Sequence, residues 1–589
     1  MNNEKVQNQE GEEMENQHET TSPETNQEPI VDSSREEQII NSTLLDGVLG
    51  YINFDGGSVD NTTSGAMVSA ERRRLFRRDV YVGIKDNEQN VEFLGRIVEG
   101  PFHSPHEIGS DSAITRTTVL HPERTKFRPS YFVYGTIEVL GQLVNGERLI
   151  PTPTRPRPYS EIFIFPPDRL KSLLEIDGDI LIGHLMGYEE QKIEVKSNSD
   201  NKNFLPRNVG IFGTVGSGKS NTTQMLIEEA TIAGWAVVVI DVEGEYVKMN
   251  EPNDRIDMNH ILHNSFNLQP MGVSNFRTYV PSSGDSEATN PLRFKVPISQ
   301  LEMSVIGDII DISDAQFRMF ETIVERASNT RQQNQSNRLG ALGGQQSTTH
   351  PIPYTLQNLI DTLNDQDFLR NLNGTERSTA SVLRSKLWSF ARSGMLDINS
   401  NSRVDYLPIN ELLVGGRLSV LDVAETDDRS RNIAIAYVLQ SLFEKVIETP
   451  VGEIIPGTST PRPKILVVIE EVHTFVSRQS VGKMKAVLDN LQTISRRGRK
   501  RWMSLALVSQ QPGHVPDELF ELANTRFIHQ LKSASNLAPV KQSTGGVHEA
   551  LWTNVPALGP GQCLLTGSVF KNPIFVNVRP ARSKRLLTS

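Results

Sequence analysis

One octapeptide in the middle of the chain has the residue types and spacing that bind a nucleoside triphosphate. Residues 213–220 read GTVGSGKS, which fits G-x-x-x-x-G-K-[ST], and they follow a strand-like run and open a helix-like one. Glycines let backbone N–H groups turn toward phosphate oxygens, and the helix N-terminus adds positive potential. Lys219 should reach the β- and γ-phosphates, and the Ser220 hydroxyl should ligate Mg²⁺. The predicted ATP-binding residues are Gly213, Thr214, Val215, Gly216, Ser217, Gly218, Lys219, Ser220 and Asn221.

A second stretch supplies the carboxylates that such a loop needs. Five apolar residues at 465–469 are followed by Glu470 and Glu471, the pattern of a buried strand that ends in two acids. In the Walker B scheme the first acid holds Mg²⁺, directly or through water, and the second polarises the attacking water. We therefore expect Glu470, together with Ser220, to be a metal ligand and Glu471 to be the catalytic base. ATP is favoured over GTP because the sequence has no [NT]-K-x-D motif for guanine.

Further polar residues fall at the ends of other predicted strands, where open α/β sheets bind ligands. Asp241 begins the sequence DVEGEY, so Asp241, Glu243 or Glu245 could lie near the water network of the Mg²⁺ ion. Gln510 follows the apolar run 505–508 and has the position of a γ-phosphate sensor. For each of these residues, an ordinary solvated strand end or turn fits the spacing about equally well.

A basic run, SRRGRKR at 495–501, lies between the acidic strand end and Gln510. Charge runs of this kind are usually solvated surfaces. An arginine presented to the γ-phosphate of a neighbouring subunit would instead stabilise charge in the transition state. The run could equally face a nucleic-acid backbone in a central pore.

The elements that must position these residues change type along the chain. Four strand-like segments within residues 44–190 predict a small β-barrel. From about residue 207, apolar strands alternate with helices, which predicts a parallel, doubly wound α/β sheet with a P-loop. The predicted core strands are 209–212, 235–242, 418–423, 465–470, 504–509 and 526–531. Helical segments at 301–327, 356–363 and 378–395, with a Gln/Asn/Ser-rich loop at 330–349, predict a helical insertion.

These changes divide the 589 residues into six segments. They are an acidic tail (1–40), the barrel (44–190), the first part of the ATPase core (191–296), the helical insertion (297–412), the second part of the core (413–580) and a basic C-terminal tail (581–589). The acidic tail carries eleven acidic residues against two basic ones, and so holds most of the net charge of −11. Its polar composition predicts disorder.

Composition also limits the class of protein. The single cysteine, Cys563, excludes an intrachain disulfide and a cysteine-cluster metal site. Apolar runs are far shorter than the ~20 residues of a membrane helix, and the N-terminus has no signal-peptide pattern. We therefore expect a cytoplasmic protein without a membrane partner.

Taken together, the motifs resemble the HerA family of DNA translocases, in the same broad group as FtsK. The resemblance rests on LPRNVGIFGTVGSGKSN (205–221), VVVIDVEGEY (237–246), ILVVIEEVHTFV (465–476), ISRRGRKRWMSLALVSQQP (494–512) and LGPGQCLLTG (558–567). It covers residues 44–580 and extends to the order of segments, because family members carry an N-terminal barrel and a helical insertion in a RecA-like core.

The resemblance implies a homohexameric ring that hydrolyses ATP between subunits and threads double-stranded DNA through its centre. It implies that Asp241 assists at the metal site, that Glu471 is the catalytic glutamate and that Gln510 is the sensor. Arg496 or Arg497 would be the finger acting in trans; the family often has Arg-Glu here, so which one acts stays open. The C-terminal tail can brace the next subunit in this family, which would suit Arg579, Arg582, Lys584 and Arg585.

Three functions follow from these observations. The leading hypothesis is an ATP-driven DNA translocase or helicase, working with a partner effector in DNA processing or antiphage defence. The second is a nucleotide-regulated hexameric scaffold whose barrel docks and activates a partner, a NurA-like nuclease or a sirtuin-like NADase. The third is a P-loop ring that remodels proteins without DNA, which the FtsK-like order of motifs disfavours.

Overall fold

The computed structural model describes residues 47–54, 62–105, 113–121, 123, 131–341, 354–398, 405–474, 476 and 485–586. The acidic tail predicted at 1–40 lies outside these residues. Among the helices within these ranges, none has the length and apolarity needed to cross a membrane.

The N-terminal part of the chain forms a closed antiparallel barrel. Six strands pair in the order β2-β1-β7-β3-β4-β5, and pairing of β2 with β5 closes the barrel, while β6 extends β5. Side chains alternate along β5, so that Val133 and Ile137 point into the barrel core. The strands are β1 (Gly50–Ile52), β2 (Thr63–Ser69), β3 (Tyr81–Asp86), β4 (Val91–Pro105), β5 (Tyr131–Val144), β6 (Arg148–Ile150) and β7 (Glu161–Ile164).

The second sheet has twelve strands in the order β13-β12-β14-β11-β15-β16-β10-β17-β18-β19-β8-β9. The first eight pair in parallel, as the sequence predicts, and the last four continue the sheet in antiparallel fashion. The strands are β8 (Ile180–Leu185), β9 (Glu194–Ser197), β10 (Val209–Phe212), β11 (Ala236–Asp241), β12 (Phe276–Pro281), β13 (Leu292–Phe294), β14 (Leu418–Asp422), β15 (Ile465–Ile469), β16 (Met503–Ser509), β17 (Thr525–Ile528), β18 (Gln562–Thr566) and β19 (Ile574–Val578).

Helices cover both faces of this sheet. The described helices are α1 (Ala113–Leu120), α2 (Pro167–Leu174), α3 (Lys219–Ile232), α4 (Ile256–Phe266), α5 (Met303–Ile309), α6 (Asp314–Ala341), α7 (Leu356–Asn364), α8 (Gln366–Arg370), α9 (Gly374–Ala391), α10 (Ile409–Leu412), α11 (Asp428–Glu448), α12 (Lys485–Gly498), α13 (Asp517–Leu522), α14 (Ala534–Gln542) and α15 (Glu549–Asn554).

Alternation along the central strands supplies two hydrophobic cores. On β11, Val238 and Ile240 pack in one core with residues of α6 and α9, such as Phe320 and Leu387. Val237 and Val239 point to the other face, where the core includes helix α3 and continues into the barrel. The six predicted core strands are confirmed within a few residues at each end, because continuous apolar runs are typical of strands buried on both faces.

Three predictions about elements are corrected. The single helix predicted at 301–327 is two helices, because Asp311 adopts a left-handed backbone conformation (φ 52°) between α5 and α6. Helix α6 also runs to Ala341, through most of the loop predicted at 330–349, since Gln, Arg and Leu favour helix and no proline interrupts them. Strand β8 lies before the predicted boundary at residue 190, yet it pairs with β19 in the core sheet.

Candidate active site

The predicted phosphate-binding loop joins β10 to helix α3 and curls back on itself. The Ser217 N–H and hydroxyl both donate to the Thr214 carbonyl, at 3.2 and 2.7 Å. Gly216 and Gly218 have φ values of 76° and 106°, which residues with a Cβ rarely adopt. A Cβ at Gly218 would also lie 2.6 Å from the Gly561 nitrogen. Val215 is at the exposed tip, and Gly213 hydrogen-bonds the end of β16 through its N–H.

Lys219 is the charged group of this loop, and it is buried. Its Nζ donates to the Thr214 carbonyl at 3.2 Å. Burial lowers the pKa of Lys219, while the negative charges of Glu471, Glu470, Glu243 and Glu245 act to raise it. The ammonium therefore lies in the field of the acids that the sequence predicts as its partners.

Parallel pairing explains how these groups meet. β10, β16, β15 and β11 are neighbours in the sheet, so their carboxyl ends share one edge. The loop follows β10, Gln510 follows β16, Glu470 and Glu471 follow β15, and Asp241 ends β11. All four strand ends predicted from the sequence are therefore at the same edge, which we call the carboxyl edge.

Glu470 is buried at this edge in surroundings that suit a cation. Its Oε1 accepts a hydrogen bond from the Tyr246 hydroxyl at 2.9 Å, and its buried Oε2 has no hydrogen-bond partner. Burial, followed by the charges of Asp241 and Glu245, raises the pKa of Glu470 well above its ordinary value. Carboxylate oxygens of Glu243, Glu245 and Glu470 lie within 4.8 Å of one another. Such hard oxygen donors fit Mg²⁺, which would offset their repulsion.

Ser220, the other predicted metal ligand, is partly buried at the start of helix α3. Its hydroxyl makes no hydrogen bond to any residue in the described part of the chain, which leaves it available to a ligand. The side chain of Asn221, also predicted to bind ATP, is engaged within the chain. Its amide donates to the Arg579 carbonyl at 2.9 Å and accepts from the Ala581 N–H at 2.8 Å, so only its backbone is left for a nucleotide.

Asp241 uses its carboxylate to shape the turn that follows β11. Its oxygens accept hydrogen bonds from the N–H groups of Gly244, Glu245 and Tyr246, at 2.8, 3.1 and 2.8 Å. Complete burial raises the pKa of Asp241 to about 7, against the lowering effect of the Tyr246 N–H. The residue therefore holds Glu245 and Tyr246 at the carboxyl edge, and Tyr246 in turn contacts Glu470.

Glu471 occupies an unusual backbone conformation, with a φ of 43°. Its side chain is buried, and its Oε2 accepts a hydrogen bond from the Gln510 N–H at 3.0 Å. The same oxygen lies 3.1 Å from His473 Nδ1. The side chain of Gln510, partly buried, has no hydrogen bond to the described residues. The predicted base and the predicted sensor are thus joined directly.

Arg496 and Arg497 lie elsewhere. They are exposed at the end of helix α12, whose Ser495 contacts Asn208 just before β10. The chain then enters β16 at Met503, paired with Ile465 at the start of β15. Both arginines are therefore near the amino ends of these strands, about 20 Å along the sheet from the carboxyl edge at ~3.3 Å per residue. They cannot reach the loop of their own chain.

All four basic residues of the C-terminal segment that were predicted to suit a neighbouring subunit make contacts within this chain. Arg579 is fully buried and pairs with Glu228 and Glu229 of helix α3 at 2.9 and 2.7 Å. The remaining contacts are Arg582 with the Gln269 carbonyl, Lys584 with Glu251 and Asp254, and Arg585 with Glu245. The segment thus braces its own P-loop helix, and a contact with the next subunit stays a prediction.

Sequence reasoning also missed a buried histidine beneath the loop. His529 Nε2 lies 2.9 Å from the Thr222 hydroxyl, and its Nδ1 lies 2.9 Å from the Gln562 carbonyl. A carbonyl only accepts, so Nδ1 carries the hydrogen and Nε2 accepts from Thr222. Burial lowers the pKa of His529 to about 4, which keeps the ring neutral. Its position within the predicted strand 526–531 was the only signal in the sequence.

Comparisons with known proteins agree with the motifs. Residues 180–442 match the family model for the central domain of the helicase HerA. The DNA double-strand break repair helicase HerA of Pyrococcus furiosus is 22% identical over 477 residues, which cover 76% of this chain and 77% of the relative. The protein of the same name from Saccharolobus solfataricus is 22% identical over 423 residues, covering 71% and 72%.

Among solved structures, VirB4 of Thermoanaerobacter pseudethanolicus is similar with a TM-score of 0.44 and 16% identity, covering 69% of this chain and 97% of its own. The bacterial conjugative coupling protein TrwB has a TM-score of 0.40 and 10% identity, covering 69% and 90%. The family model begins at Ile180, the first residue of β8, where the chain enters the core sheet. The predicted resemblance is therefore confirmed: residues 180–442 match the central domain of the helicase HerA, relatives of that name align with more than two thirds of the chain, and the chain is a P-loop ATPase.

Proposed function

We propose that this protein is an ATP-driven translocase or helicase for double-stranded DNA, acting as a homohexameric ring. The observation that carries the proposal is the carboxyl edge, where buried Lys219 shares one electrostatic environment with Glu470, Glu471, Glu243 and Glu245. A P-loop facing acids at the ends of two neighbouring strands is what phosphoryl transfer requires. Relatives named as DNA repair helicases support DNA as the track.

The residues of this chain then have distinct tasks. The loop N–H groups and Lys219 bind the phosphates of ATP, and Glu471 Oε2 is fixed by Gln510 so that its other oxygen can accept a proton from water. Asp241 holds the turn that carries Glu245. Mg²⁺, bound by Ser220 and Glu470, with Glu243 and Glu245 nearby, would offset the charge of the phosphates.

The positions of two arginines support the ring. Arg496 and Arg497 are exposed and distant from their own loop, which supports a role at the ATP of a neighbouring subunit. A group in trans completes each site only when subunits assemble, so hydrolysis would depend on the ring.

The test is ATP hydrolysis with and without linear double-stranded DNA, with Lys219→Ala as the blank. We expect hydrolysis by the wild type, stimulation by DNA, and none in the variant. Hydrolysis that persists in both Lys219→Ala and Glu471→Gln would refute the assignment. Absence of DNA binding even at low salt, where phosphate contacts are strongest, would exclude the translocase.

A second candidate is a nucleotide-regulated scaffold for a partner effector, a NurA-like nuclease or a sirtuin-like NADase. The outer face of the barrel supports it. Phe102, Tyr134, Met67 and Tyr51 are direct cross-strand neighbours, and the three aromatic residues are 42–45% exposed. Apolar rows of this kind are typical of contact surfaces.

The scaffold predicts ATP turnover that is indifferent to DNA, together with co-purification of the product of a neighbouring gene. Tyr51→Ser with Tyr134→Ser should abolish that association while leaving ATP turnover unchanged. Association that survives both substitutions would exclude this face. The identity of the partner would then distinguish a role in antiphage defence from a role in DNA repair.

A further inference from the structure

Glu471 Oε2 has two polar neighbours of different kinds. One is the backbone N–H of Gln510, and the other is the imidazole of His473, whose Nδ1 lies 3.1 Å from Oε2. An ionised carboxylate can only accept, so this contact requires a hydrogen on Nδ1. With Glu471 only 3% exposed, water does not replace either donor easily.

His473 is itself held in place by the next strand. Its Nδ1 lies 3.2 Å from the hydroxyl of Ser509, the fully buried last residue of β16. The Ser509 Oγ accepts a hydrogen bond from the Gln511 N–H at 3.2 Å. The histidine side chain is 15% exposed and sits in the short helical turn Val472–Thr474. The ring is therefore fixed between the ends of β15 and β16.

The consequence concerns the orientation of the carboxylate. Oε2 accepts a hydrogen bond from the Gln510 N–H and lies 3.1 Å from the His473 ring, whereas Oε1 accepts no hydrogen bond from the residues that the structure describes. A glutamate with two polar neighbours on one oxygen keeps the other oxygen aimed in one direction. Without the imidazole, a single backbone N–H remains, and the side chain can rotate about it.

We propose that His473 is a positioning residue for the catalytic glutamate, orienting Glu471 so that Oε1 faces the attacking water. The inference rests on the proposed function, because it gives His473 a role only if Glu471 acts on water. Groups that hold a catalytic side chain in one orientation typically contribute about tenfold to a hundredfold to activity. The imidazole makes no contact with substrate in this role.

The experiment compares three variants in steady-state ATP hydrolysis. His473→Ala removes the imidazole, and His473→Asn places an amide N–H near the position of Nδ1. The control, His514→Ala, changes an exposed histidine that follows β16. We expect His473→Ala to lower kcat by about tenfold to a hundredfold. KM and the Kd for a fluorescent ATP analogue should be unchanged, because the loop is intact. His473→Asn should recover most of kcat, and His514→Ala should match the wild type.

A double variant separates positioning from other roles. If His473 acts through Glu471, then His473→Ala should not lower the residual single-turnover rate of Glu471→Gln any further, since the two residues act as one unit. A further fall, an unchanged kcat in His473→Ala, or loss of analogue binding would overturn the inference. Failure of the proposed function has a different signature, which is full hydrolysis in Glu471→Gln itself.

Discussion

The two edges of the core sheet differ in charge, burial and the groups they present. At the carboxyl edge, Lys219, Asp241, Glu470 and Glu471 are buried, and hydrogen bonds from Tyr246 and Gln510 hold the three acids. At the amino edge, the side chains of Arg496 and Arg497 are exposed and have no hydrogen bond to the described residues. One chain thus carries a buried acidic group and an exposed basic one, about 20 Å apart. Under the proposed function, a complete site needs one edge from each of two copies.

The largest expected effects come from removing the chemistry of the carboxyl edge. Lys219→Ala should abolish ATP binding and hydrolysis, because the loop loses its cation. Glu471→Gln should lower kcat by at least ~100-fold while leaving ATP binding intact, since the amide keeps the shape but cannot take a proton. Steady-state hydrolysis and equilibrium binding of an ATP analogue measure these effects. A Glu471→Gln variant with normal kcat would show that Glu471 is not the catalytic base.

Substitution at the amino edge should have nearly as large an effect if it completes a neighbour's site. Alanine at the true finger, Arg496 or Arg497, should lower kcat by about 10³-fold without weakening ATP binding, as fingers contribute that much in related chemistry. Lys500→Ala, an exposed base in the same run, is the matched control and should be near wild type. If both arginine variants hydrolyse ATP normally, the run is an ordinary solvated surface.

Substitution of the buried residues that support the carboxyl edge should lower the free energy of unfolding and not only kcat. Arg579→Met leaves Glu228 and Glu229 buried without their partner, which should lower the free energy of unfolding by about 3–5 kcal/mol. Arg582→Ala, whose guanidinium makes peripheral contacts, should cost less than ~1 kcal/mol. Thermal unfolding of the two variants provides the comparison. Equal stabilities would mean that the buried cluster does not brace helix α3.

The smallest predicted effect is a pH dependence from His529. Its pKa is about 4 in the folded chain and ordinarily 6.5, so below pH 6.5 the unfolded state binds a proton that the folded state excludes. Stability should therefore fall with decreasing pH, by about 2 kcal/mol between pH 7 and pH 5. His529→Gln should remove this part of the pH dependence when unfolding is measured at both values. A slope identical to that of the wild type would show that the ring titrates freely.

The sequence predicted the carboxyl edge well because its signals are local. The P-loop and the acids after residues 465–469 each lie within ten residues, and parallel pairing alone brings them together. Prediction from the sequence failed where the side chains that contact each other are distant in the chain. Arg579 resembles a surface base in the sequence, and its partners lie about 350 residues earlier. The pairing of β8 with β19 was missed for the same reason.

Two further side chains make contacts that the spacing of residues in the sequence does not reveal. Asn221 continues the P-loop motif, but its amide is already used by the C-terminal segment. The polar neighbours of His473 come together only when β15 and β16 are placed side by side. Side-chain partners across a sheet depend on register, which periodicity alone does not fix.

Mixing subunits tests the central claim, that each chain carries two halves of different sites. Lys219→Ala protein should be combined with the inactive arginine variant, and ATP hydrolysis measured as their ratio is varied. The account predicts that the mixture regains hydrolysis, because an arginine-deficient subunit with an intact loop can receive the arginine of a Lys219→Ala neighbour. No recovery at any ratio, in rings shown to contain both variants, would contradict it.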